Sequence, residues 1–187
     1  MNLFWKGRFY GSKQGRDYLE REICIVDARI SPTPVANMEK LTVKEQAEYA
    51  AYRDPNTHGL YIPGVAIQRA LVSAAAFSKG KARSSLVKHA AACFLVTPER
   101  IPLKKNEYII DSRPVVIPAT KGCILRHRPR LDEWEIEFTL EWDPALLDET
   151  QVRKIVDDMG SRVGLLDFRP EKKGPFGRST VIRWEAA

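Results

Sequence analysis

The chain reads as an α+β protein of the split βαβ type, with elements in the order β-α-β-β-α-β. Three observations predict this. A β-rich run at 21–30 leads, past an insertion, into a helix with an apolar stripe of period 3.6. The stretch 121–142 alternates apolar and charged residues as the two arms of a hairpin do. A second amphipathic helix after Asp148 runs through a glycine-rich loop into a last strand, Thr180 to Trp184. That order places two helices on an antiparallel sheet.

Composition narrows the class. A length of 187 residues suits one domain spanning 1–187, and 44% hydrophobic with 29% charged residues is the balance of a soluble globular protein with an adequate core. The net charge of +6 favours an anionic partner. Cys24, Cys93 and Cys123 are too widely spaced for a metal site, and an odd count speaks against a disulfide framework. A reducing, cytoplasmic location is expected. The mixed aromatic and basic residues of 1–10 do not resemble a signal peptide, and no window is apolar enough for a membrane span. No Walker loop, dinucleotide fingerprint or metal motif is found, so no cofactor is expected.

The elements follow in order. Residues 1–19 form an aromatic, glycine-punctuated arm. The run from Arg21 to Ile30 is apolar on both faces, as in a central strand, and Ser31-Pro32-Thr33-Pro34 ends it. An insertion at 35–59 follows. Within it Thr42-Val43-Lys44-Glu45 reads as a capping box opening a helix through about Tyr52. A helix begins after Pro63, with Val65, Leu71, Val72 and Ala75 as its expected apolar stripe, and ends near Gly80. Leu86 to Val96 reads as a short helix passing into a strand. Prolines 98, 102, 114 and 118 mark extended connections around a short strand, Tyr108 to Ile110. Trp134, Ile136, Phe138, Leu140 and Trp142 alternate with Glu133, Glu135, Glu137, Thr139 and Glu141, a half-buried strand. A turn at Leu131-Asp132 would set Arg130, Arg128 and Arg126 opposite Glu133, Glu135 and Glu137. Asp148 caps the last helix, whose stripe is Val152, Ile155, Val156, Met159 and Val163, with Gly160 as its stop.

The loop at 160–178 carries four glycines, two prolines, two phenylalanines and five cations against two acids. Glycine lets backbone approach a ligand closely, and cations with aromatic faces suit phosphates and unstacked bases. Arg162, Arg169, Lys172, Lys173, Gly174, Phe176, Gly177 and Arg178 are its candidate binding residues. The alternative is a solvated surface turn. Phe168 is expected to anchor the loop in the core with Leu165 and Leu166. Lys79, Lys81, Arg83 and Lys88 form a second basic patch with no acid between them, or a solvated linker. Arg53 and His58 form a third group.

Two stretches resemble a known family. Arg53-Asp54-Pro55…Tyr61-Ile62-Pro63-Gly64-Val65-Ala66-Ile67-Gln68-Arg69 is similar to a signature of the RAMP superfamily, and Gly174-Pro175-Phe176-Gly177-Arg178 resembles its C-terminal glycine-rich loop. The likeness is greatest to the repeat-forming backbone subunits of CRISPR effector complexes. It implies a modified ferredoxin-like fold, akin to RNA-recognition modules, with 35–59 as a thumb-like insertion. It further implies a subunit that binds single-stranded guide RNA, stacks head to tail as a homo-oligomer and contacts other subunits of the complex. Val65, Ala66 and Gln68 stand where the family has two serines and a lysine, and Arg69 is the nearby cation. Compact phage-encoded relatives coating single-stranded DNA, or interfering with a CRISPR complex, are a further possibility that the resemblance leaves open.

Catalysis lacks a convergent set of groups. Glu48 occupies an offset similar to that of the thumb acid of target-cleaving relatives, with Asp54 close by, and a carboxylate there would bind Mg²⁺ beside a phosphodiester. That is the alternative reading, a metal-dependent endoribonuclease. The plain reading makes Glu48 a solvated helix residue and Asp54 a turn cap. His58, His89 and His127 are scattered.

Overall fold

The computed structural model describes residues 40–80, 84–116 and 120–185. The arm at 1–19 and the strand expected at 21–30 lie outside the described residues, as do Lys81 and Arg83. The chain is mixed α+β, with four α-helices and small antiparallel sheets among the described residues. It divides into two compact units, one built from 52–106 and 134–185, the other from 40–51 and 107–133.

In the larger unit, β1 (Tyr61–Pro63) pairs with β3 (Arg100–Pro102), and α2 (Gly64–Ala74) starts directly from β1. Gly64 is needed at that junction: its N–H donates to the Glu99 carbonyl at 2.7 Å, and a Cβ would stand 2.9 Å from the Pro98 carbonyl oxygen. Helix α3 (Val87–Cys93) passes into β2 (Leu95–Thr97), which pairs with β6 (Thr139–Glu141). Helix α4 (Glu149–Asp158) opens on a capping box made by Asp148 and Gln151. The core joins Ile67, Ala70, Leu71 and Ala74 of α2 to Val152, Ile155 and Val156 of α4, with Phe94, Val96, Ile101 and Leu147 around them. The stripe of α4 is the expected one. That of α2 holds at Leu71, Val72 and Ala75 but not at Val65, which is exposed; Ile67, Ala70, Leu71 and Ala74 are buried at i, i+3, i+4 and i+7.

The smaller unit holds α1 (Val43–Ala50) and one ribbon, β4 (Ile109–Val116) paired with β5 (Cys123–Arg130). The capping box of α1 forms as expected, Thr42 accepting from the Glu45 N–H and Glu45 accepting from the Thr42 N–H. The hairpin is displaced from its expected place. Arg130 lies opposite Ile109, not Glu133, and the chain leaves the ribbon as Arg130 closes on Asp132 at 2.6 Å. The cause is burial. Trp134, Ile136, Phe138, Leu140 and Trp142 pack against the core of the larger unit, where only Thr139–Glu141 join a ladder. The arginine arm pairs instead with the segment holding Pro114, which a two-stranded ribbon tolerates because both of its strands are edges. Thr180 to Trp184 takes no ladder among the described residues; Trp184 reaches the core edge, 6.3 Å from Trp142, with the Arg153 guanidinium 4.6 Å over its ring.

Leu71 is fully buried between the helices, so Leu71→Ala should cost about 2–5 kcal/mol in a denaturant titration. Val65→Ala on the exposed face should change stability by less than about 0.5 kcal/mol.

Candidate nucleic-acid interface

The loop at 160–178 is built by close backbone crossings. Helix α4 does not stop at Gly160; it continues as a π-helical turn, Met159–Val163, and the stop is Gly164 at φ +74°. Gly160 instead lies against the Ser179 carbonyl, where a Cβ would collide, and accepts the Ser179 N–H at 3.1 Å. The two passes of the loop are tied by Leu165 N–H to the Gly177 carbonyl at 2.9 Å and Phe176 N–H to the Phe168 carbonyl at 3.1 Å. A Cβ on Gly174 would run into the Phe168 carbonyl oxygen. Between the passes sits a 3₁₀ turn, Pro170–Lys172, closed by Lys173 at φ +62°.

This geometry sorts the cations. Arg162 ion-pairs with the buried Asp158 at 3.1 Å and lies 5.1 Å over the Phe77 ring. Arg169 is held by Glu171 and by the Leu166 carbonyl at 2.8 Å. Both stabilise the loop. Arg178 donates to the Ser161 carbonyl at 2.9 Å and retains its charge. Lys172 and Lys173 are exposed, and no carboxylate engages either among the described residues. Phe168 is not a core anchor. Leu165 alone is buried, whereas positive φ at Leu166 and Phe168 turns both side chains outward, and the Phe168 ring is 42% exposed. It meets Phe176 edge to face at 5.9 Å.

The other candidates stand apart from this loop in sequence. Arg53 donates to the His58 carbonyl at 2.7 Å, and His58 sits at φ +55°. Asp54 accepts the N–H groups of Asn56 and Thr57 and pairs with Arg100 at 3.1 Å. The Thr57 N–H, then the Asn56 N–H, hold its carboxyl below the ordinary range. Glu48 accepts from the Tyr108 hydroxyl at 2.7 Å. Gln68, where the RAMP signature has lysine, donates to the Phe94 carbonyl at 3.0 Å, while Arg69 beside it is exposed. Lys79 forms an isolated bridge with Ser85, and Lys88 lies exposed on α3. Among the described residues no group of histidines, cysteines and carboxylates could hold a metal, and no helix is long and apolar enough to cross a membrane. Sequence reasoning placed the loop but not its internal ion pairs; the only available signal was the short spacing of Arg169 from Glu171 and of Asp158 from Arg162.

Two outcomes test this construction. Gly174→Ala should cost about 1–3 kcal/mol, while Gly59→Ala, whose Cβ would meet nothing closer than 3.4 Å, should be near neutral in thermal melts. The depressed Asp54 carboxyl gives turn bonds that are present above the ordinary carboxylate pKa and lost as pH falls through the lowered value. Exchange protection at Asn56 and Thr57 should therefore persist at pH 5 and fail only below about pH 4.

No family model, no curated protein and no solved structure matches this chain.

Proposed function

We propose that the chain is a non-catalytic, single-stranded nucleic-acid-binding protein of RAMP type. In this reading it is a compact counterpart of CRISPR backbone subunits that binds guide RNA and stacks head to tail along it. One observation carries the reading: Lys172, Lys173 and Arg178 lie on a glycine-closed loop with no carboxylate on any of them among the described residues, near the exposed Phe168 ring and its half-buried neighbour Phe176. A loop held by its own backbone bonds loses little entropy on binding, and cations beside ring faces suit a strand of phosphates and unstacked bases. Helices α2 and α4 sharing one core with the β2–β6 ladder support a modified ferredoxin-like arrangement. Glu48 and Asp54 each hold a partner within their own segment of the fold, which favours binding over strand cleavage.

The test is binding of a labelled single strand of about 30 nucleotides, as RNA and as DNA, over a salt series. Affinity should fall steeply with salt. Lys172→Ala/Lys173→Ala should weaken all sequences alike and reduce the log–log salt slope by about 1.4, at ~0.7 for each phosphate no longer neutralised. No binding of either polymer at low salt would remove the proposal.

A further inference from the structure

The ribbon β4–β5 carries a charged face that the loop does not account for. Directly paired residues of an antiparallel ladder share a face. The register therefore puts Ile109, Asp111, Arg113 and Val115 on the same side as Arg130, Arg128, Arg126 and Ile124. Four guanidiniums share that face with one carboxylate. Asp111 takes Arg113 at 2.6 Å and lies 3.7 Å from Arg130, which also holds Asp132. Two of the three glutamates that the sequence offered as partners are elsewhere: Glu135 pairs with Lys104 and Glu137 with Arg183. Arg126 is left directly opposite Arg113, cation facing cation, with no carboxylate of its own among the described residues.

Like charges directly opposite on a ladder destabilise it. A ribbon that keeps this pair, with Arg126, Arg128 and Arg130 at every second position, presents cations about 7 Å apart along one line. That spacing is close to the separation of successive phosphates on one strand. Arginine donates to a phosphate in a fixed fork, which suits this chemistry better than a point charge does.

We infer that the Arg113–Arg126–Arg128–Arg130 face of the ribbon is a second phosphate-backbone binding surface, separate from the loop at 160–178. It shares with the proposed function only the class of ligand. An approaching phosphate would sit between Arg113 and Arg126 and relieve their repulsion, and Asp111 would compete with it.

The experiment compares the full chain with Arg126→Gln/Arg128→Gln, Asp111→Asn and Lys172→Ala/Lys173→Ala, using the same labelled RNA and DNA strands over a salt series. The ribbon double variant should bind about tenfold or more weakly, with the salt slope reduced by about 1.4. Asp111→Asn should tighten binding, whereas a purely structural Asp111 would loosen it on removal. Arg126→Gln alone should leave Tm unchanged or raise it by about 1–3 °C, since it removes a repulsion. An unchanged affinity and slope in the ribbon variant overturns this inference, whatever the loop variant does. Weakening in the ribbon variant with no effect of the loop variant keeps it and removes the loop assignment instead. No binding by the unaltered chain removes both.

Discussion

At Gly160, Gly174 and Gly177 two stretches of backbone meet with no room for a side chain, and the C-terminal third of the larger unit depends on those meetings. The Ser179 carbonyl on Gly160 lays the end of the chain along the end of helix α4. From there the chain delivers Trp184 to the core edge, against Trp142 and under Arg153. The loop between is shut by backbone hydrogen bonds, not by apolar burial, for Leu165 is its only deeply buried hydrophobic side chain among 164–178. Charge then completes it. Asp158, itself buried, is compensated by Lys154 and Arg162, as a buried carboxylate must be.

Much of this was legible in the residues. The capping box at Thr42, the Asp148 cap, the apolar stripe of α4 and the passage from α3 into β2 follow from local rules, because each is decided by neighbours within a few positions. The failures involve choices between distant partners. The arginine arm had two candidate strands, and period-two alternation cannot say which one it joins. The glutamate-bearing arm was the obvious electrostatic match. It lost because its tryptophans, Ile136 and Phe138 had a core to join, and burying them outweighs a few exposed ion pairs. The stripe of α2 held at Leu71, Val72 and Ala75 and failed at Val65 for a related reason: Val65 is as apolar as Ile67, and only the packing partners select a face.

The candidate interface divides along the same line. Its position between the last helix and the C-terminal segment was readable, since glycines and prolines punctuate it. Which cations are spent inside was not, since that depends on where Leu166 and Phe168 turn outward and where the Arg169 fork lands. A count of positive charge in the sequence treats all five as equal. In the folded loop Arg162 and Arg169 belong to the scaffold, and Lys172, Lys173 and Arg178 carry no carboxylate partner among the described residues.

That division has an evolutionary consequence. Lys172 and Lys173 project from a turn whose shape is set by main-chain bonds from their amides to Arg169 and Pro170. Exchanging the Lys172 side chain leaves that turn intact, while Lys173, at φ +62°, accepts only residues that tolerate the left-handed region, so the charge of the loop drifts more cheaply at the first position than at the second. Drift at Arg162 or Arg169 carries a cost, because it would leave Asp158 with Lys154 alone or unlatch the loop.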